Sequence, residues 1–350
     1  MKRVFRSGAR VFLVLLAAVT ALAGCGVRQT PGTEDDDGPF PALTGEYLGQ
    51  TPPGDEPSLF APGIVSTGMY ERDIAVSPDG HELYFCVVLG NYDQSAIMVA
   101  RLEDGRWNRP TVATFSGRYR DLEPAITPDG QRLFFVSHRP IEEGGPARED
   151  ADIWVMDRTA DGWGEPYPLG PPVNTGEPEF FPSVTRDGTL YLTRDQEGGA
   201  SAIFRSRLVD GHYQEPERLG PEVNSARAQF NSYVSPDETY LVYGAFGRED
   251  SLGGTDYYVS FRNDDDTWTG PISLGRRINT KSGLEYSPYV TPDGRYFFFM
   301  AARTPLAEEG FELPTSAEGL LEIHGRPGNG LPDIWWVDAA FIEELRPAEH

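Results

Sequence analysis

Short apolar runs alternate with polar turns along most of the chain, and one turn phrase occurs five times. It appears as VSPDG, ITPDG, VTRDG, VSPDE and VTPDG, and an apolar run such as ELYFCVV or RLFFVS follows each copy. The aspartates of the phrase, 50 to 58 residues apart, are Asp79, Asp129, Asp187, Asp237 and Asp293. Proline, aspartate and glycine in this order favour a tight turn between antiparallel strands. The pattern therefore predicts five hairpins built to one plan.

Two more strands are predicted after each hairpin. The third strand is apolar, as in ADIWVMDR and PDIWWVDA, and the fourth opens with an aromatic-x-x-Pro pattern such as Trp107 to Pro110. Proline suits an edge strand because it cannot donate to a ladder. Four short strands repeated about every 50 residues are typical of one blade of a β-propeller.

The fifth unit lacks a fourth strand, and the N-terminal segment supplies a candidate. EPSLFAPGIVST (Glu56 to Thr67) is similar to EPYPLGPPVNT, the fourth strand of the second unit. The sequence thus predicts an all-β protein, a five-bladed propeller with four antiparallel strands per blade, closed by the N-terminal strand and followed by a short C-terminal helix. The expected boundaries are 54–70 for the closing strand, 71–115, 116–173, 174–223, 224–278 and 279–337 for the blades, and 338–346 for the helix.

At this point the chain resembles a known family, the PD40 or WD40-like repeats of TolB-type propellers. The phrases carrying the resemblance are PS-V-T-x-D-G…LY and DIW, over about residues 54–346. The family implies a β-propeller, but its members range from protein-binding modules to a few enzymes, so the fold alone does not settle the function.

The N-terminus predicts export. A basic start and the apolar stretch VFLVLLAAVTALA are typical of a signal peptide, and LAGC (Leu22 to Cys25) resembles the lipobox of bacterial lipoproteins. The resemblance implies cleavage after residue 24 and lipidation of Cys25; Gly26 in place of aspartate favours the outer membrane. Residues 25–53 are expected to form a flexible tether.

Charge and cysteine content limit the partners. The net charge of −24 disfavours nucleic acid and anionic lipid surfaces. Cys86, the other cysteine, lies in an apolar strand and is expected in the core. The expected contacts are an envelope protein or a glycan, with the membrane reached through the lipid anchor only, and the propeller is expected to be monomeric.

Polar residues recur eight positions before each turn aspartate. They are Glu71, Asp121, Glu179, Gln229 and Glu285. Because these positions lead into the innermost strands, they are expected to ring the channel mouth on the top face, where the chain enters each blade. They could hold a cation, a sugar or a basic side chain, or they could cap backbone amides between blades. No cofactor is predicted, and a Ca²⁺ ion there is left open.

Two carboxylates break the repeat at the next inward-facing position. Asp73 and Glu123 stand where the other blades have Phe181, Asn231 and Ser287. With Glu179 they could form the acid and base of a glycoside hydrolase, or they could simply pair with arginines.

A 30-residue insert in the fifth blade, between its second and third strands, adds a surface to the top face. Its apolar residues, including Leu320 and Leu321, are expected to be buried. The function predicted from the sequence is a non-catalytic envelope lipoprotein that recognises a protein or glycan through its top face. The alternative is the carbohydrate-active enzyme.

Overall fold

The structure, a computed structural model, describes residues 40–142, 144–307 and 310–348. Their strands form five antiparallel sheets of four or five strands and one additional hairpin. Neighbouring innermost strands contact one another around a closed ring. The predicted all-β, five-bladed propeller is confirmed. Cys25 and the predicted leader lie outside the described residues.

The blades follow chain order, each from the channel outwards. Blade 1 consists of β2 (Tyr70–Val76), β3 (Glu82–Leu89), β4 (Gln94–Glu103), β5 (Arg106–Trp107) and β6 (Thr111–Val112), after β1 (Ser58–Leu59). Blade 2 consists of β7 (Asp121–Ile126), β8 (Arg132–Ser137), β9 (Asp152–Thr159), β10 (Gly162–Trp163) and β11 (Tyr167–Pro168). Blade 3 consists of β12 (Glu179–Val184), β13 (Leu190–Gln196), β14 (Ala200–Ser206) and β17 (Glu217–Arg218), with a hairpin of β15 (Leu208–Val209) and β16 (His212–Tyr213).

The last two blades and the helices complete the chain. Blade 4 consists of β18 (Ala228–Val234), β19 (Tyr240–Phe246), β20 (Thr255–Phe261) and β21 (Ile272–Ser273). Blade 5 consists of β22 (Tyr286–Val290), β23 (Tyr296–Ala301) and β24 (Asp333–Asp338), and β1 forms its outer strand. The helices are α1 (Ala317–His324) in the insert, α2 (Phe341–Glu344) at the C-terminal end, and 3-10 turns at Tyr47–Gly49 and Pro305–Ala307.

The N-terminal strand closes the ring as predicted. Ser58 pairs with Trp336 and Leu59 with Trp335 in an antiparallel ladder. Phe60, which follows, packs edge-on against Phe298 and Trp336 with ring centres 4.9 and 5.1 Å apart. The first and last parts of the propeller therefore share one blade and one core.

The outer strands begin later than expected. In blade 1 the aromatic residue of the aromatic-x-x-Pro pattern, Trp107, pairs back with Leu102 of the third strand, and the outer strand starts at Thr111, after the proline. The proline thus separates two short pairings with the same strand, because it cannot donate to either ladder.

Part of the segment expected to be a flexible tether is ordered. Residues 41–49 pack on the propeller, with Leu48 fully buried and Tyr47 nearly so. The Trp107 indole donates to the Gly45 carbonyl at 2.8 Å, and the Tyr47 hydroxyl donates to Asp293 at 3.1 Å. Two large apolar side chains in the segment explain the difference, since their burial stabilises an ordered path.

The hydrophobic core lies between the blades. Tyr84, Cys86 and Ile97 of blade 1 pack with Leu133 and Phe135 of blade 2, and similar clusters fill the other junctions. Cys86 is buried, as expected. No helix among the described residues has the length and apolar character needed to cross a membrane.

Candidate functional site

One residue of every innermost strand has a left-handed backbone and interrupts the pairing with the second strand. Such a bulge turns a side chain out of the regular alternation of a strand. The bulge residues, with their φ angles, are Asp73 (50°), Glu123 (59°), Phe181 (51°), Asn231 (52°) and Ser287 (73°). All of them except Asn231 line a cavity in the central channel. The structure thus places Asp73 and Glu123 at the channel.

A single guanidinium joins these two carboxylates. Arg72 is only 4% exposed, and its Nε donates to both oxygens of Asp73 at 2.9 Å. Its Nη2 donates to Oε1 of Glu123 at 2.6 Å and to the Ser287 hydroxyl at 3.2 Å. A buried guanidinium requires anionic partners to offset its desolvation. Two carboxylates share one cation here, so the cluster carries one excess negative charge when both are ionised.

The charge of this cluster depends on Glu123. Burial raises the pKa of the Glu123 carboxyl to about 7, because the opposing effect of Arg72 is incomplete and Asp73 adds to the shift. Burial alone would lower the pKa of Arg72, but its anionic neighbours reverse this, and the pKa lies well above its ordinary value. Arg72 therefore stays cationic, and Glu123 gains or loses its proton near neutral pH.

Two tyrosines, Tyr92 and Tyr286, contact Arg72 on the top side of the bulges, and Tyr70 is bonded to both of them. Nη1 of Arg72 donates to the Tyr92 hydroxyl at 2.8 Å, and the guanidinium carbon lies 5.0 Å from the ring centre of Tyr286. The hydroxyls of Tyr70, Tyr92 and Tyr286 are hydrogen-bonded to one another. This network separates the bulge residues from the top face.

The cavity lies on the opposite, bottom side, where the five repeated turns are. Its volume is about 150 Å³, and it extends from the bulge residues to the turns. Four turn prolines and one arginine line its mouth: Pro78, Pro128, Arg186, Pro236 and Pro292. Its walls include Ile74, Ile126 and Val290. The repeated turn phrase therefore borders the channel opening.

The predicted ring of polar residues does not line this cavity. Each side chain is at most 1% exposed and bonds to the segment that leads into its own strand. Glu179 accepts hydrogen bonds from Thr175 and Arg194, and Gln229 from the amide of Ala226. Glu71 accepts from the Thr67 hydroxyl, Asp121 from the side chains of Ser116, Ser137 and Arg139, and Glu285 from Thr280 and Ser282. Three of the five, Glu179, Gln229 and Glu285, accept from a backbone amide as the capping alternative expects.

Among the buried acids near these junctions, three have the most strongly raised pKa values. Burial raises the pKa of Glu71, Glu285 and Asp333 to about 7 in each case. One oxygen of each has no hydrogen-bond partner among the described residues, namely Oε2 of Glu71, Oε2 of Glu285 and Oδ1 of Asp333. Among those residues no three acidic, histidine or cysteine side chains lie together as a metal site would require.

A second set of polar residues, whose role sequence reasoning missed, connects neighbouring blades. The Asn174 amide accepts from the backbone N–H of Ile153 at 3.1 Å and donates to its carbonyl at 2.9 Å. Asn224 does the same with Ile203, and Asn279 with Tyr257. The signal in the sequence was asparagine recurring five or six positions before the ring residues.

The top face carries most of the exposed apolar side chains. Of twelve large hydrophobic residues exposed in the described chain, nine lie in its loops, at its strand ends or on α1: Met69, Leu89, Ile141, Phe246, Leu284, Leu313, Leu320, Leu321 and Leu331. The insert does not bury its apolar residues as expected, since Leu321 is 69% and Leu313 66% exposed and α1 has no buried residue. The helix is held at its end, where Asn329 donates to the carbonyls of Gly68 and His324.

Comparison with known proteins finds only distant structural similarity. No protein-family model matches the chain, and no curated protein matches it. Among solved structures, TolB from Acinetobacter baumannii is 17% identical with a TM-score of 0.43, over 77% of this chain and 57% of that one, so this chain spans little more than half its length. A TolB from Agrobacterium tumefaciens is 15% identical with a TM-score of 0.45, over 77% of this chain and 90% of that one. The arabinanase of Bacillus subtilis is 10% identical with a TM-score of 0.48, over 82% of this chain and 99% of that one.

Proposed function

We propose that this propeller is a non-catalytic recognition module of the bacterial cell envelope that binds a protein through its top face. The observation that carries the proposal is the concentration of nine exposed large hydrophobic residues on that face. Apolar side chains gathered on one face of a soluble domain commonly mark a contact surface. The lipobox-like LAGC sequence supports attachment through Cys25 and an envelope location.

The non-catalytic part of the proposal is supported by Arg72. A glycoside hydrolase needs one carboxyl free to donate a proton and another free to attack or to activate water. Asp73 and Glu123 are both bonded to the same buried guanidinium, and Glu179 bonds to Arg194 away from the cavity. Neither arrangement leaves a carboxyl poised over an open sugar site.

The top-face contact is tested by site-specific photo-crosslinking of the full-length protein in the producing bacterium. A photoreactive residue at Leu321, 69% exposed on α1, is compared with one at Val209, 48% exposed on the outer hairpin of blade 3. We expect a discrete protein adduct from position 321 that disappears with Leu320→Glu, and none from position 209. The same adducts from both positions, or none from 321, would overturn the proposal.

The carbohydrate-active alternative is tested by incubating the purified protein with envelope and plant polysaccharides. We expect no release of sugars from any of them. Hydrolysis by the native protein that is lost in Glu123→Gln would establish the enzyme in place of the recognition module. Glu222→Gln, at an acid outside the channel cavity, is the matched control.

A further inference from the structure

The channel cavity is a second concave site, on the face opposite the apolar loops. Its mouth is formed by the turn prolines and Arg186, its walls are largely apolar, and Asp73 and Glu123 lie at its inner end. These carboxylates are only 4% and 5% exposed and line the cavity with the little surface they retain. A ligand entering from the bottom face would meet apolar surface first and carboxylate oxygens last.

The inner end of the cavity has more negative than positive charge. Asp73 and Glu123 are opposed only by Arg72, which both of them already share. Each oxygen of Glu123 accepts a single protein hydrogen bond, from Arg72 at Oε1 and from the amide of Phe181 at Oε2. A carboxylate oxygen can accept two, so acceptor capacity remains for a further donor.

We propose that the bottom half of the channel binds a lysine side chain of a partner protein, with its ammonium group at Asp73 and Glu123. The aliphatic stem would lie along Ile74, Ile126 and Val290, while the ammonium would supply the missing positive charge. Lysine suits such a site because its flexible hydrocarbon stem packs on apolar surface and its compact ammonium has three donors. The net charge of −24 on the chain would steer a basic partner towards it.

An anionic ligand fits this cavity less well. The only cation at the mouth is Arg186, which is exposed at the outer end and has no hydrogen bond or ion pair from its guanidinium to any described residue. An anion bound to Arg186 would lie at the mouth and not inside the cavity. An anion at the inner end would be repelled by the carboxylates of Asp73 and Glu123, and the low dielectric there strengthens the repulsion. A neutral apolar ligand would leave the excess charge uncompensated.

The test titrates the purified full-length protein with n-butylammonium, a mimic of the lysine side chain, followed by NMR or calorimetry at pH 8. n-Butanol and butyrate serve as neutral and anionic probes of similar size. We expect n-butylammonium to bind at least about tenfold more tightly than either. Glu123→Gln, which retains an acceptor for Arg72, should weaken n-butylammonium by about tenfold or more, as should Asp73→Asn.

Two further variants separate this site from unspecific cation binding. Arg186→Gln should strengthen n-butylammonium binding because it removes a like charge from the mouth. Arg218→Gln removes an equal charge from an exposed position on β17, and it should leave the affinity for n-butylammonium unchanged. Binding should also weaken at pH 5, since Glu123, faced by Arg72, Asp73 and the Phe181 amide, becomes protonated.

Unchanged n-butylammonium affinity in folded Glu123→Gln and Asp73→Asn would overturn the proposal, as would equal binding of n-butanol or no detectable binding of the cation. Far-ultraviolet circular dichroism establishes folding of each variant before titration. The outcome is independent of the top-face crosslinking, because the two sites lie on opposite faces.

Discussion

Nη2 of Arg72 lies 2.6 Å from Oε1 of Glu123, so a guanidinium of blade 1 is bonded to a carboxylate of blade 2 inside the channel. The same guanidinium holds Asp73 of its own blade and donates to Ser287 of blade 5. One side chain thus connects the innermost strands of three consecutive blades across the point where the ring closes. Removing one partner of a buried ion pair costs far more than an exposed pair contributes, because the other charge stays buried.

Arg72→Gln should therefore destabilise the propeller by about 3–5 kcal/mol at pH 8. The loss should be smaller at pH 5, since Glu123 then carries a proton and one uncompensated charge disappears. Urea unfolding at the two pH values measures both effects. Arg218→Gln, at an exposed arginine, should stay within about 0.5 kcal/mol of the native protein. If Arg72→Gln also lowers the free energy of unfolding by no more than about 0.5 kcal/mol, the ion pairs of Arg72 contribute little to stability.

The raised pKa values of Glu71 and Glu285 predict an unusual pH dependence of the stability of the protein. Burial raises the pKa of Glu71 and Glu285 from 4.5 to about 7. In this range the folded protein keeps protons that the unfolded chain has lost, so the free energy of unfolding falls as pH rises from about 4.5 to 7, and then levels off. Glu285→Gln removes this penalty. The variant should match the native protein at pH 5 and be more stable by roughly 1–3 kcal/mol at pH 8.

Blade 4 supplies the matched control, because Gln229 already occupies the equivalent position. Its Oε1 accepts from the amide of Ala226 at 2.7 Å, and its Nε2 donates to the carbonyl of the same residue at 3.1 Å. Gln229→Glu should introduce the same pH dependence that Glu285→Gln removes. If neither substitution changes the slope of stability between pH 5 and pH 8, the buried acids are not protonated in the folded state.

The number of blades could be predicted because the repeat is written into the turns. A Ser or Thr, an Asp and usually a Gly return at each bottom turn, and the hydroxyl of Thr127 donates to Asp129 in the manner repeated around the ring. Such local hydrogen bonds need no tertiary context, so the sequence alone reveals them. Closure by the N-terminal strand followed from similarity between segments of the same chain.

The direction of the ring side chains could not be predicted from alternation. In a regular strand Glu71 and Asp73 would point to the same face, since positions two apart do so. The left-handed φ of 50° at Asp73 breaks this rule, so Asp73 faces the channel and Glu71 does not line it. A bulge at a non-glycine residue leaves no strong signal in a single sequence.

The fold also differs from expectation where two partners are far apart in sequence. Tyr47 packs edge-on against Tyr296 with ring centres 5.3 Å apart, and this contact orders part of the expected tether. Similarly, a ligand site was expected at the channel mouth on the top face, but the contacts among Arg72, Tyr92 and Tyr286 occupy that side of the channel. Both results depend on side chains brought together only by closure of the ring.

The turn of blade 4 predicts a reversal of the usual preference between alanine and glycine. Glu238 has a φ of 61°, where the equivalent residues of the other turns are glycines such as Gly130 with 72°. It tolerates this conformation while its carboxylate binds Tyr191 at 2.6 Å and Arg262 at 2.7 Å. Both Glu238→Ala and Glu238→Gly lose these bonds, but only glycine relieves the backbone. Glu238→Gly should therefore unfold at higher urea than Glu238→Ala, by about 1 kcal/mol.

The neighbouring residue Asp237 provides the comparison, because its φ is not positive. Asp237→Ala and Asp237→Gly lose the same hydrogen bond from Thr239, 2.9 Å long. At position 237 the glycine variant should therefore be less stable to urea than the alanine variant. The same order of stability at both positions would show that the left-handed conformation of Glu238 costs nothing.

The position of the insert depends on a close approach of two glycines. A Cβ added to Gly68, in the loop before β2, would lie 2.5 Å from the carbonyl carbon and 2.8 Å from the Cα of Gly325, which follows α1. Backbone atoms at such distances must move apart, so Gly68→Ala should displace the end of α1 from the loop and weaken the bonds of Asn329. Hydrogen–deuterium exchange should then increase in residues 317–331, with little change in the strands.

Gly54→Ala, where a Cβ would meet no atom within 4 Å, should leave exchange unchanged. Equal exchange in the two variants would show that the insert is held by contacts other than this one, and the crosslinking surface at Leu321 would then be expected to survive the substitution.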